Sequence, residues 1–421
     1  MATTLSEQEA QQRNQHIGPA SNGISADEIA LYDRQIRLWG FKAQERIRRA
    51  NILLITMKAL ANEVAKNLVL AGIGSLTVVD HEPVTEADLG AQFFVEQQHV
   101  GRNRAQAASA ALQKLNPRVR VLVDTGDIRA KGPSFFAAFD LVIATDVDPL
   151  ALEVINTTTR LHNRPFYAAA SHGIYGFLFA DLIEHVFVLE RARSNVPTRL
   201  GLEDRSRTRA VLAAGPKPGL PAVEQITKRE VYSTWYLAAD AAALSAEVRA
   251  VARRRKVVTP LLACFRALWD FQTVHGRVPV YGNPADQAAF VQLATAKHAA
   301  LGLPPETLTP EALRRFLQNT AAEAAPVAAV LGGQLAQDVI AVLGANQQPI
   351  QNFVFFDGES MEANVYALHP EGDLGVKQLA ASTSVSNGDP TAMRNAEAEI
   401  LGAAAAQMPL GAPQQNVIAL D

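Results

Sequence analysis

The chain has 421 residues, 48% of them hydrophobic and 19% charged, which suits a packed globular protein of two or three units. A net charge of −3 gives no argument for nucleic-acid binding, and a single cysteine excludes an intrachain disulfide and suits a reducing compartment. No uninterrupted apolar run approaches the roughly 20 residues that span a bilayer, and the polar start, Met1 to Asn22, lacks the apolar core of a secretory signal.

Residues 1–24 read as a disordered lead-in. Ser25 and Glu28 then form a capping box, opening helical sequence that runs to Gly40, with a second helix over 41–49. The apolar run 51–56 predicts a buried strand, 62–71 a helix, and 75–80 the next strand. A helix over 101–115 stops at Asn116-Pro117, where proline cannot continue the ladder. Strands follow at 119–124, 141–145, 166–170 and near 175–182, with a helix over 149–163. This alternation predicts an α/β fold with a Rossmann-like, mostly parallel sheet covered on both faces. It breaks near Glu190. Residues 190–230 are polar, basic and rich in Pro and Gly and read as long loops, and 237–324 reads as helices. Helix 326–343 and strands 352–357 and 364–368 resume the first pattern. The expected organisation is therefore one α/β domain, 25–185 with 325–370, interrupted by an insertion at 186–324, with 371–421 as a flexible tail.

The most informative stretch lies between the first strand and its helix. A working dinucleotide site places glycines there, so that backbone N–H groups approach phosphate closely. Here the stretch is Met57-Lys58-Ala59-Leu60-Ala61, with no glycine. Asp80, at the tip of the second strand, holds the usual position of a ribose acceptor and reads as its vestige; a turn residue is the plainer account. Asp146 and Asp148 follow the strand 141–145. Carboxylates there can hold Mg²⁺ through phosphate, while helix capping before Pro149 accounts for Asp148 equally well. Cys264 sits on an apolar helical face and reads as core. The run Arg253-Arg254-Arg255-Lys256 reads as solvated charge near a helix end, with a nuclear import signal or a contact for an acidic partner as alternatives. Gly332-Gly333 inside a helix marks close backbone approach, either within the chain or at a subunit interface. In Tyr32-Asp33-Arg34-Gln35-Ile36-Arg37-Leu38-Trp39-Gly40, the arginines offer a fixed fork suited to phosphate.

Together these pieces resemble the ubiquitin-like activating enzymes, relatives of the bacterial adenylating proteins MoeB and ThiF. The resemblance covers about 25–185 and 240–370. It rests on the phrase at 32–40, on Ala-Lys-Asn-Leu-Val-Leu-Ala-Gly at 65–72 and on Val-Gly-Arg-Asn-Arg-Ala at 100–105. Leu-Asn-Pro at 115–117, Pro-Val-Ala-Ala-Val-Leu-Gly-Gly-Gln-Leu-Ala-Gln-Asp at 326–338 and Phe-Phe-Asp-Gly at 355–358 add to it. Asp-His-Glu-Pro-Val-Thr at 80–85 and Gly-Ala-Gln-Phe at 90–93 are similar to the small subunits of SUMO activators.

The resemblance implies a heterodimer with a division of labour. The large catalytic subunit binds ATP and Mg²⁺, adenylates the C-terminal glycine of SUMO, and takes SUMO as a thioester on its own cysteine for delivery to a conjugating enzyme. The small subunit is a pseudo-adenylation domain, inactive alone, with no cofactor and no metal of its own. Its arginine before Gln in the opening signature, here Arg34, reaches the partner's site in trans and contacts ATP phosphates. The resemblance also implies a nuclear location, extending to the cytoplasm, and no nucleic-acid or membrane partner. The small subunit of a Nedd-type activator, a MoeB-type homodimer, an NAD-dependent oxidoreductase and a pure scaffold are the competing readings. The homodimer and the oxidoreductase both want the missing phosphate loop.

Overall fold

The computed structural model describes residues 24–203 and 208–386. The chain opens with α1 (Ala26–Leu31), α2 (Asp33–Trp39) and α3 (Phe41–Arg49). The expected capping box is present: the Glu28 amide donates to Ser25 Oγ at 3.3 Å, and the Ser25 amide donates to Glu28 Oε2 at 3.0 Å. Gly40, at φ +90°, separates α2 from α3 in a conformation that favours glycine.

The alternating part follows as β1 (Asn51–Ile55), α4 (Ala59–Ala71), β2 (Ser75–Val79), α5 (Arg104–Leu115) and β3 (Arg120–Asp124). A short α6 (Pro133–Ala137) precedes β4 (Leu141–Thr145), α7 (Pro149–Leu161), β5 (Phe166–His172) and β6 (Tyr175–Asp181). One difference matters for the site. The helix after β1 begins at Ala59, so most of the stretch 57–61 is its first turn rather than a loop.

The segment expected to be loops is instead largely sheet. It holds β7 (Glu184–Ala192), the two-residue β8 (Gly201–Leu202), β9 (Arg209–Lys217) and β10 (Leu220–Val231). These form a second, antiparallel sheet in the order β7-β10-β9-β8. Its outer half is exposed on both faces, so its sequence lacks the apolar alternation that marks a half-buried strand.

Five shorter or longer helices follow: α8 (Ala246–Ala250), α9 (Ala252–Arg255), α10 (Leu261–His275), α11 (Pro284–Ala300) and α12 (Pro310–Gln318). The basic run lies mostly on α9, where Arg254 pairs with Glu247 and Lys256 with Glu306 at 3.4 Å. Then come α13 (Ala325–Gly344), β11 (Asn352–Asp357), β12 (Glu362–Tyr366) and α14 (Gly372–Ser386). The start of the expected flexible tail is thus the helix α14, and Gln378 ties it to the Tyr232 carbonyl at 2.9 Å. The rest of the tail, and the lead-in up to residue 23, lie outside the described residues.

The main sheet has the order β12-β11-β6-β5-β4-β1-β2-β3. The strands from β5 to β3 run parallel, and β6, β11 and β12 are antiparallel additions. Successive side chains point to opposite faces. Ile52 and Leu54 of β1 meet α4 and α13 through Leu60, Val64, Leu331 and Leu335. Leu53 and Ile55 face the side covered by α7 and α10, with Leu152, Ile155 and Phe265. Burial on both faces explains the unbroken apolar run of β1. On the α10 side an aromatic cluster ties the helical segment to the sheet, with Phe177 5.3 Å from Phe265 and 5.2 Å from Trp269. Cys264 belongs to this core, and burial pushes its thiol up to about 12. By length and composition α13 could cross a bilayer, but 56% of its most apolar stretch is buried against the rest of the chain, as in a core helix.

Candidate functional site

In an open α/β sheet, ligands bind at the carboxyl ends of the strands. Here the ends of β1, β2 and β4 surround a cavity of about 160 Å³ lined by Thr56, Lys58, Asp80, Arg104, Arg129 and Asp146, among others. Thr56 and Asp146 sit at φ +66° and +52°, a region non-glycine residues avoid. Hydroxyls lock the strand ends together: Thr56 Oγ1 donates to the Thr145 carbonyl at 2.5 Å, and Thr145 Oγ1 to the Ile55 carbonyl at 3.1 Å.

The start of α4 meets a carboxylate from elsewhere in the chain. A helix N-terminus carries unsatisfied N–H groups and partial positive charge. At α4 the Ala59 amide donates to Glu323 Oε2 at 3.4 Å, and Lys58 Nζ lies 3.4 Å from Glu323 Oε1. Glu323 comes from the segment entering α13, so a distant carboxylate faces the helix start at which dinucleotide sites of this fold hold phosphate.

Asp80 is also engaged. Its Oδ2 accepts from the Met57 amide at 2.9 Å and from Arg104 Nη1 at 2.8 Å, and its Oδ1 accepts from the Glu82 amide at 2.9 Å. Arg104 also contacts Asp88 Oδ2 at 3.4 Å, and all three side chains are buried. Both carboxylate oxygens of Asp80 therefore serve the chain's own donors. Ligand pockets usually measure roughly 300–1,000 Å³. In size and in donor and acceptor placement, these residues do not fit ATP.

The carboxylates after β4 divide by role. Asp148 caps α7, accepting from the Ala151 amide at 2.9 Å, and pairs with Arg129 at 2.5 Å, so the capping account describes it. Asp146 Oδ1 accepts from the Ser171 amide at 3.3 Å, while its Oδ2 is buried without a hydrogen-bond partner among the described residues. Burial, and then the charge of Glu323, push the Asp146 carboxyl up to about 7. Among the described residues no group of three or more His, Cys, Asp or Glu side chains could hold a metal ion.

Arg34 lies elsewhere. It is exposed on α2 and, among the described residues, has no hydrogen-bond or ion-pair partner. Arg37, on the same helix, is taken by Asp33 at 3.0 Å. The structure does not bring Arg34 and Asp80 together. Met57 ties Asp80 to the start of α4, whereas Gln35, beside Arg34, donates to the Leu70 carbonyl at its end, at 3.2 Å. The helix between has 13 residues, a span of roughly 20 Å.

Beside α2 an open groove of about 450 Å³ runs between α4 and α13, lined by residues including Leu38, Leu70, Gly333 and Ile340. Leu38 is 76% exposed. The glycine pair separates here. A Cβ on Gly332 would lie 2.5 Å from Glu63 Cβ and 3.1 Å from the Leu60 carbonyl oxygen, so Gly332 permits close packing of α13 on α4. A Cβ on Gly333 would meet nothing within 4 Å. One glycine serves the fold, and the other opens onto the groove.

Sequence reading missed Glu323, because nothing local links it to residue 59. Arg104 stands in the phrase at 100–105, where its sequence neighbours indicate no role. The sequence signal available for Arg104 was a charged residue opening an otherwise small-residue helix.

Comparison with known proteins agrees with this architecture. The ThiF family model matches residues 32–373. DNA damage tolerance protein RHC31 of Saccharomyces cerevisiae is 35% identical over 345 residues, 82% of this chain and 97% of that protein. SUMO-activating enzyme subunit 1 of Bos taurus is 36% identical over 354 residues, 83% of this chain and 98% of its own length. The Homo sapiens protein of the same name is 36% identical over 353 residues, 84% of this chain and 98% of its own. With its doubly covered, mostly parallel sheet and a match spanning most of its length, the chain belongs to the ThiF family.

Proposed function

We propose that the chain is the pseudo-adenylation subunit of a SUMO-activating heterodimer, and that it lends Arg34 to the ATP site of the large subunit. The observation that carries this reading is the contrast between the two ends of α4. At one end the helix start meets the carboxylate of Glu323, and at the other an exposed arginine has no partner among the described residues.

The groove between α2, α4 and α13 is the face assigned to the large subunit. It adjoins Arg34 and presents Leu38 and Leu70 to solvent. Docking there buries apolar surface and carries the guanidinium across the interface. Its planar fork suits phosphate oxygens, and its fixed charge offsets theirs as the adenylate forms. ATP and Mg²⁺ then belong to the large subunit, as does the cysteine that takes SUMO as a thioester. The reading also implies a nuclear location.

The test is ATP–pyrophosphate exchange in the presence of SUMO. The chain alone is expected to be inactive, and adding the large subunit restores exchange. Arg34→Ala is expected to slow exchange by roughly 10²-fold, the scale of one lost transition-state donor, while co-elution with the large subunit persists. Robust exchange by the lone chain, or an unchanged rate with Arg34→Ala, would refute the proposal.

A further inference from the structure

The helix that carries Arg34 is too short to hold itself. With seven residues, α2 gains few internal hydrogen bonds against the cost of nucleation. Its placement comes from elsewhere, and the place it docks is chemically specific. The last carbonyls of a helix have no partner within the helix. In α4 the last three are Val69, Leu70 and Ala71.

Each of these carbonyls accepts from a side chain outside α4. Asn116 Nδ2 donates to Val69 O at 3.0 Å, Gln35 Nε2 to Leu70 O at 3.2 Å, and Gln44 Nε2 to Ala71 O at 3.1 Å. Asn116 also donates to Tyr32 Oη at 2.7 Å, so the residue just before α2 joins the same network. Gln44 in turn accepts from Trp39 Nε1 at 2.8 Å, which joins the end of α2. The Tyr32 ring lies over Gly72, where a Cβ would come within 2.5 Å of it. Gly72 is at φ +81°, which already favours glycine, and the ring uses the space a side chain would fill. Both ends and the middle of α2 are thus pinned to the end of α4, while Arg34 is exposed and its guanidinium has no partner among the described residues.

We propose that Tyr32, Gln35, Gln44 and Asn116 are positioning residues that fix the direction in which Arg34 leaves the surface. The inference rests on the reading that Arg34 acts in the partner's site. A donor misplaced by about 1 Å can cost on the order of 10²-fold in rate, so a loosened α2 weakens the arginine without removing it. The network also accounts for the residue types around Arg34 in the opening signature. Tyr, Gln and Trp at those places are docking groups, and the arginine is the group being docked.

The test uses the reconstituted heterodimer of full-length chains and ATP–pyrophosphate exchange, with KM for ATP and kcat measured separately. Gln35→Leu removes one docking bond at a half-buried position, and Tyr32→Phe keeps the ring while losing the Asn116 bond. Each is examined alone and combined with Arg34→Ala, with heterodimer assembly followed by size-exclusion chromatography. The expected result is a fall in kcat of roughly 3–10-fold for each single variant, with KM for ATP little changed and assembly intact. Neither variant changes anything further once Arg34 is alanine. Wild-type kinetics in both single variants, while Arg34→Ala slows exchange, would overturn the positioning role and leave the arginine reading standing. Effects that persist in full on the Arg34→Ala background would also overturn it, because they would not act through Arg34. An Arg34→Ala heterodimer with unchanged exchange would instead sink the underlying reading, and this proposal with it.

Discussion

Arg104 ties the end of β2 into a buried ionic group. Its guanidinium joins Asp80 and Asp88, and the three side chains are 6%, 1% and 6% exposed. Burial works against the charge of Arg104, but the two carboxylates outweigh it and raise its pKa. Removing one member of a buried ionic group leaves the others uncompensated, at a typical cost of about 3–5 kcal/mol. Arg104→Met is therefore expected to destabilise the chain by that amount in urea unfolding. A loss below about 1 kcal/mol, the range of surface pairs, would show that the group contributes little. Asp146 gives a second test at the same scale. Its folded pKa, about 7, lies above the usual carboxylate value because of burial and then Glu323. An acid raised in this way contributes stability that is fully present below pH ~4 and lost as pH rises through about 7. Glu323→Gln removes the like charge, so the Asp146 carboxyl is expected to titrate lower and the pH-dependent loss to shrink. NMR titration of that carboxyl would check it, and an unmoved midpoint would argue against direct coupling.

Among the elements, the α4–α13 pair offers the sharpest comparison, because adjacent glycines have opposite surroundings. Gly332→Ala forces a Cβ against Glu63 and the Leu60 carbonyl, a strain of about 1–3 kcal/mol that the better helix propensity of alanine only partly offsets. Gly333→Ala meets open space and gains up to about 1 kcal/mol of propensity. The unfolding midpoint is expected to fall for the first and rise for the second; equal shifts would contradict the packing described. Elements of this kind were legible in the sequence where their signals are local. The capping box at Ser25, the cap at Asp148 and the apolar runs of β1 and β4 all appear where composition and spacing put them. The strands β9 and β10 were not legible, because the half of their sheet that is exposed on both faces carries no apolar alternation. The start of α4 at Ala59 was hidden by the assumption that a strand-to-helix link in this fold must be a loop. Gly332-Gly333 signalled close approach correctly, but only the packing separates their two roles.

At the scale of the whole molecule, α4 organises the account. Its first turn meets Glu323 from across the chain, and its last carbonyls hold the segment that carries Arg34. The absence of glycines at 57–61 was legible in the sequence; the role of Arg34 rests on the proposal above. The Glu323 contact was not legible, since a contact between residues 59 and 323 leaves no trace in either neighbourhood. Where the sequence shows no glycine, the start of α4 is met by Glu323 from across the chain. The most direct test of the central claim is a calorimetric titration of ATP·Mg²⁺ into the isolated chain and into the reconstituted heterodimer. The account predicts no binding to the chain alone and one nucleotide per heterodimer. Saturable binding to the isolated chain, or a second nucleotide per heterodimer, would contradict it.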